Sequence, residues 1–221
     1  ERAQRAEPPV WRALLLLDLA QLEAKAGDGG KAAETCRAAA MLEGPARFRA
    51  YQALADLARS ENNPIWLAEA LEAQAELASE ALVETNDGDE QGVPTHARTK
   101  DFVADALVRA AALRRSAGDA RAAAALLKRA AEQLPDDLTI AYERLAAVDA
   151  AGDGEESARL SQALLDAGER GPAAASLYLR LEEDAAGRGE LDAALAALAS
   201  AVAQDPASIP ARAIQLDLLG I

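Results

Sequence analysis

The chain has 221 residues and sets 37 acidic side chains against 23 basic ones, a net charge of -14; this charge repels a phosphate backbone or an anionic membrane and argues against nucleic acid as a partner. Alanine and leucine dominate, and Trp11, Trp66, Tyr51, Tyr142, Tyr178, Phe48 and Phe102 are the whole aromatic complement, so composition favours packed helices over sheets, which want β-branched and aromatic residues. The leucine run Leu14 to Leu17 stops at Asp18, too short to span a bilayer, and the single Cys36 rules out an intrachain disulfide and fits a reducing, cytoplasmic compartment.

The elements follow in chain order. Helices are expected at 9–26 and 29–43, joined by Ala26-Gly27-Asp28, then at 46–60 and 64–83 around Asn62-Asn63-Pro64. A polar, acidic, turn-rich stretch from Glu84 to His96 reads as an inserted loop whose dozen residues span on the order of 20 Å as a coil. Helices resume at 97–116 and 119–133 around Ala117-Gly118-Asp119, at 137–150 and 154–168 around Ala151-Gly152-Asp153, and at 172–186 and 190–204 around Gly187-Arg188-Gly189, with a last one at 207–219.

Two kinds of punctuation alternate along this series. In the tight turns, Gly adopts the left-handed conformation that ends one helix, and the following Asp accepts from the free N–H groups that open the next. Asp153 with Glu156 three residues on has the spacing of a capping box. Between the pairs, Gly44-Pro45, Leu134-Pro135-Asp136, Gly171-Pro172 and Asp205-Pro206 carry prolines that stop the preceding helix. The tight turns fall near 27, 62, 118, 152 and 189, so their spacings are 35, 56, 34 and 37 residues. Apart from the interval that holds the acidic loop, this is the period of a two-helix repeat.

These residues resemble the tetratricopeptide repeat family. The stretch 175–208 carries Tyr178, Leu181, Gly189, Ala194, Leu198, Ala201 and Pro206 at the family's spacings, with Glu182 where a Gly or Ala is usual. The stretch 104–137 carries Leu107, Ala110, Ala111, Gly118, Ala123, Leu127, Ala130 and Pro135, and 13–46 carries Leu16, Leu19, Ala20, Gly27, Ala32, Cys36 and Ala39, with its proline one place late at Pro45. Tyr51, Leu54 and Ala55 begin a further copy and Tyr142, Leu145 and Ala146 another, although their second helices slip against the pattern.

The resemblance implies an all-α, helical-hairpin repeat solenoid over 1–221, a right-handed superhelix of about five hairpins plus a C-terminal helix. It also implies a concave wall formed by the first helix of each pair, an extended groove for a peptide or partner helix. On the copies that align well, the inward positions hold Leu14, Leu17, Gln21 and Lys25, then Asp105, Val108, Ala112 and Arg115, then Ser176, Leu179, Glu183 and Ala186. That wall is mixed and partly apolar and lacks the basic and Asn clamp with which some members grip an acidic C-terminal tail. It suits an amphipathic helix or hydrophobic peptide, while Leu17, Val108 and Leu179 equally suit packing against neighbouring helices.

Chemistry-bearing residues are sparse. His96 is the only histidine and falls in the acidic loop; Cys36 sits among alanines, where a free thiol packs as a small hydrophobe. One Cys and one His do not make a zinc site, and Asp87, Asp89 and Glu90 lack the register of a calcium loop. Adjacent helical residues do not face one another, so Glu182, Glu183 and Asp184 read as surface charge. Gly27-Asp28-Gly29-Gly30-Lys31 lacks the spacing and preceding strand of a phosphate loop.

The sequence therefore reads as a bacterial protein-interaction scaffold, neither an enzyme nor a cofactor protein, that works in a multiprotein complex and forms part of a longer chain. Its apolar end, Ile214 to Ile221, offers a surface for self-association. The alternative reading is a regulatory or sensory module of a larger enzyme or transcription regulator.

Overall fold

The computed structural model describes residues 9–42, 44, 46–85 and 93–219. These form eleven α-helices and no strand: α1 (Pro9–Lys25), α2 (Gly29–Ala40), α3 (Ala46–Ser60), α4 (Pro64–Thr85), α5 (Val93–Ser116), α6 (Ala120–Gln133), α7 (Leu138–Ala151), α8 (Gly154–Asp166), α9 (Gly171–Gly187), α10 (Leu191–Gln204) and α11 (Ile209–Leu219). The protein is an all-α helical-hairpin repeat with five tight interhelical turns.

All five turns are built alike. In the first, Asp28 N donates to Glu23 O at 3.0 Å and Gly27 N to Ala24 O at 3.0 Å. The same pair of bonds recurs from Asn63 and Asn62, Asp119 and Gly118, Asp153 and Gly152, and Glu190 and Gly189. This closure satisfies the last carbonyls of one helix and requires a left-handed residue at its end. Gly27 (φ 85°) and Gly118 (φ 85°) supply it without strain, whereas Asn62 (φ 51°) takes the place of Gly in the second turn. The next residue opens the following helix. Asp28 accepts from Lys31 N, Asp119 from Ala122 N and Asp153 from Glu156 N, and Asn63 accepts from Trp66 N.

Two local expectations are corrected. The Asp153–Glu156 box is only half made, because the Glu156 carboxylate turns to Arg159 and Arg144; the Arg159 hydrogen bond, supported by the charge of Arg144, holds its pKa below the ordinary carboxylate value. The helices reach further into the stretch 84–96 than expected. α4 runs on to Thr85 and α5 starts at Val93, with Pro94 in the first turn, where a missing N–H costs no helical bond. His96 thus stands in a helix, while residues 86–92, with Asp87, Asp89 and Glu90, lie outside the described residues.

The chain divides into two compact units, Glu1–Ile140 and Ala141–Ile221. In the first, Leu54 is fully buried among Ala20, Ala32, Ala33, Cys36, Ala55, Leu57 and Ala70, with Tyr51, Trp66 and Leu67 at the edge. Small side chains let the helix backbones approach while Leu and aromatic residues fill the remaining space. Arg37 on α2 reaches Glu69 on α4 through two hydrogen bonds of 2.7 Å and lies 5.7 Å from the Trp66 ring centre, and Arg114 on α5 meets Glu72 on α4 at 2.7 Å. In the second unit, Leu145, Leu164, Leu165, Ala174 and Leu177 join α7, α8 and α9. Ala175, Leu198, Ala201 and Ala211 join α9, α10 and α11.

No described helix is long and apolar enough to cross a membrane.

Candidate functional site

In the first unit, α1 and α3 lie side by side, each the leading helix of its hairpin. Between them runs an open groove of about 360 Å³. Its floor is Leu17, Ala20 and Ala24 from α1, Ala53 and Leu57 from α3, and Cys36 from α2. Its rim carries Gln21 and Lys25 on one side and Asp56 and Ser60 on the other. The floor is apolar because Leu17, Ala20 and Ala24 share one helical face at three- and four-residue steps. Asp56 pairs with Arg59 at 2.6 Å and the Ser60 hydroxyl donates to Leu57 O. Lys25 makes no ion pair among the described residues, so its ammonium remains available at the rim.

The groove holds little that reacts. Burial pushes the Cys36 thiol up to about 11, so it remains protonated and packs as a small hydrophobe. Ser60 spends its proton on a backbone carbonyl, and no histidine stands with either residue among those lining the groove. Among the described residues, no group of three or more His, Cys, Asp or Glu is placed to hold a metal.

The expected inward-facing residues are distributed unevenly. Leu17, Gln21 and Lys25 come together in this groove, whereas Leu14 is half-buried on α1 and does not line it. On α5, Asp105, Ala112 and Arg115 are exposed and Val108 is half-buried, and Asp105 pairs with Arg109 one turn on at 3.5 Å. On α9, Ser176 is exposed and its hydroxyl donates to Pro172 O; Leu179 packs at the edge of the α9–α10–α11 cluster. The residues missed from sequence are those of α3. Tyr51, Leu54 and Ala55 fix the register of that helix, and the offset that selects Gln21 from Leu16 and Ala20 selects Asp56 here.

Glu183 lies in a different groove, within the second unit. This polar cleft of about 690 Å³ is lined by the end of α7, the start of α8 and one side of α9. Its charges are largely internally matched: Arg180 meets Asp149 at 2.8 Å, and Arg188 pairs with Asp184 and with Glu190. Glu183 and Asp184 both line it, since neighbours 100° apart on a helix can both reach an open cleft, and Glu182 stays outside. Burial, then the charge of Glu183, pushes the Glu182 carboxyl up.

No family model and no curated protein matches the chain. Solved structures do. YrrB, a TPR protein described as having an unusual peptide-binding site, is 15% identical over 92% of this chain and 91% of its own, with a TM-score of 0.46. TTC0263, a thermophilic TPR protein of Thermus thermophilus, is 18% identical over 95% of this chain and 100% of its own, with a TM-score of 0.38. PilF of Pseudomonas aeruginosa is 11% identical over 96% and 100%, with a TM-score of 0.40. The chain is similar to tetratricopeptide repeat proteins in its run of helical hairpins.

Proposed function

We propose that the chain is a protein-interaction scaffold and that the α1–α3 groove seats apolar side chains of a peptide or partner helix. The observation that carries this reading is the union of an apolar floor with a sparse polar rim, including the unpaired Lys25 ammonium. Such sites draw affinity from apolar burial and orientation from a few polar groups. Lys25 would hold a carboxylate or backbone carbonyl of the guest, and Gln21 would offer both a donor and an acceptor beside it. In this reading the α5 line, exposed Asp105, Ala112 and Arg115 with half-buried Val108, would be a second contact apart from the groove. Half-buried Leu14, which does not line the groove, drops out of this reading, and Ser176, Leu179 and Glu183 would form a separate contact set in the second unit.

The test is to select binders from a random peptide library with the purified chain and to measure the selected peptides by fluorescence anisotropy. Leu17→Glu places a charge on the floor and is expected to weaken binding at least ~10-fold, a loss of about 1.4 kcal/mol or more. Lys25→Glu is expected to weaken acidic peptides selectively, and circular dichroism should remain helical for both variants. Peptides that bind both variants as tightly as the parent would place the contact elsewhere.

A further inference from the structure

Among the described residues, the outer face of α1 presents four large apolar side chains to solvent. Trp11 is 63% exposed, Leu15 57%, Leu19 44% and Leu22 63%. Steps of four, four and three residues put all four on one stripe along the whole helix, the pattern of a helix that pairs with another. This stripe is distinct from the groove face of the same helix, where Leu17, Gln21 and Lys25 stand.

We propose that this stripe is the contact between two copies of the chain, paired antiparallel across a two-fold axis near the middle of α1. Three observations select a second copy as the occupant. The first is area. At the exposures above, side chains of this size present roughly 400–500 Å² per copy. A two-fold pair buries about twice that, and with its polar flanks it reaches the ~1,000 Å² that a specific interface needs.

The second is charge. The whole chain carries -14, so most faces of two copies repel one another. Along α1, Arg12 and Lys25 offset Asp18 and Glu23, which leaves the helix neutral.

The third is self-complementarity. With the axis near Leu17, the centre of α1, Trp11 lies against Leu22 of the second copy and Leu15 against Leu19 of the second copy. Arg12 and Glu23 flank the stripe on one side, three turns apart, and antiparallel helices bring like flanks together. Each Arg12 therefore meets the other copy's Glu23, a carboxylate already engaged by the Thr35 hydroxyl at 2.7 Å. Exposed pairs of this kind set register more than affinity. Asp18 lies on the opposite flank close to the axis, where it faces its own counterpart and opposes association.

Sedimentation equilibrium of the full chain over a concentration series tests the proposal, with Leu15→Glu/Leu22→Glu, Asp18→Asn and Leu216→Glu beside the parent. The parent is expected to form a dimer. The double glutamate variant should dimerise at least ~100-fold more weakly with its helicity intact, since both positions face solvent. Asp18→Asn should tighten the dimer a few-fold by removing the like-charge contact, and Leu216→Glu, on α11, should leave it unchanged. A monomeric parent, a dimer that survives the double variant, or a dimer lost through Leu216→Glu would overturn the assignment. Peptide binding to the α1–α3 groove is read separately, so failure here leaves that reading standing.

Discussion

At the scale of single residues, the turn position after each glycine decides how well the next helix starts. Asp119 accepts from Ala122 N at 3.0 Å, as Asp28 and Asp153 do from their own third neighbours. Glu190 occupies the same place before α10 and makes no side-chain cap; its longer arm pairs with Arg188 instead. Removing an Asp cap leaves an N–H without an acceptor, at a cost of about 1 kcal/mol. Asp119→Ala should lower the stability of the chain by that amount in urea denaturation, and Asp119→Asn, which keeps the acceptor, should lower it little. Equal midpoints for parent and Ala variant would show that solvent satisfies the helix start as well as the side chain does.

At the scale of elements, the tight turns were the most legible feature of the sequence because their geometry restricts residue type. A left-handed helix end wants Gly, and the next helix wants Asp, so Ala-Gly-Asp marks the same structure at 26–28, 117–119 and 151–153. The start of α5 was harder to read, since Val93 to His96 looks like a polar loop until Pro94 is placed in a first turn, where proline fits. The candidate groove was half legible. Leu17, Gln21 and Lys25 follow from the strong first copy, but Asp56 and Ser60 belong to a copy whose second helix slips, and so stood outside the pattern. The α1 stripe was hidden because Leu14 to Leu17 is apolar all the way round, and only packing shows which leucines stay outside. Packing also singles out Leu54, which is fully buried where α1, α2, α3 and α4 converge on alanines. Alanine-to-alanine contacts cannot close a void without moving whole helices, so Leu54→Ala should cost about 2–5 kcal/mol. Leu191→Ala, at a residue 67% exposed, should change chemical denaturation by a few tenths at most. Comparable losses at the two positions would mean that burial does not govern stability here.

At the scale of the whole molecule, 27 of the 42 buried apolar residues among those described are alanine, so apolar burial per helix is small and electrostatic terms weigh more than in a leucine-rich core. Two such terms oppose one another. Ion pairs at contact, such as Arg37–Glu69 and Arg114–Glu72 at 2.7 Å, stabilise over distances shorter than the screening length at any ordinary salt concentration. The repulsion among the acids in excess, -14 for the chain, acts over tens of Å and is the part that salt removes, since the screening length falls from about 30 Å at 0.01 M to about 10 Å at 0.1 M. Salt should therefore relieve more repulsion than attraction. Thermal unfolding followed by circular dichroism is expected to move to higher temperature as sodium chloride rises from about 0.01 M to about 0.5 M, with most of the gain below about 0.15 M. A fall in Tm over the same range would mean that the contact pairs carry more of the stability than the excess charge takes away.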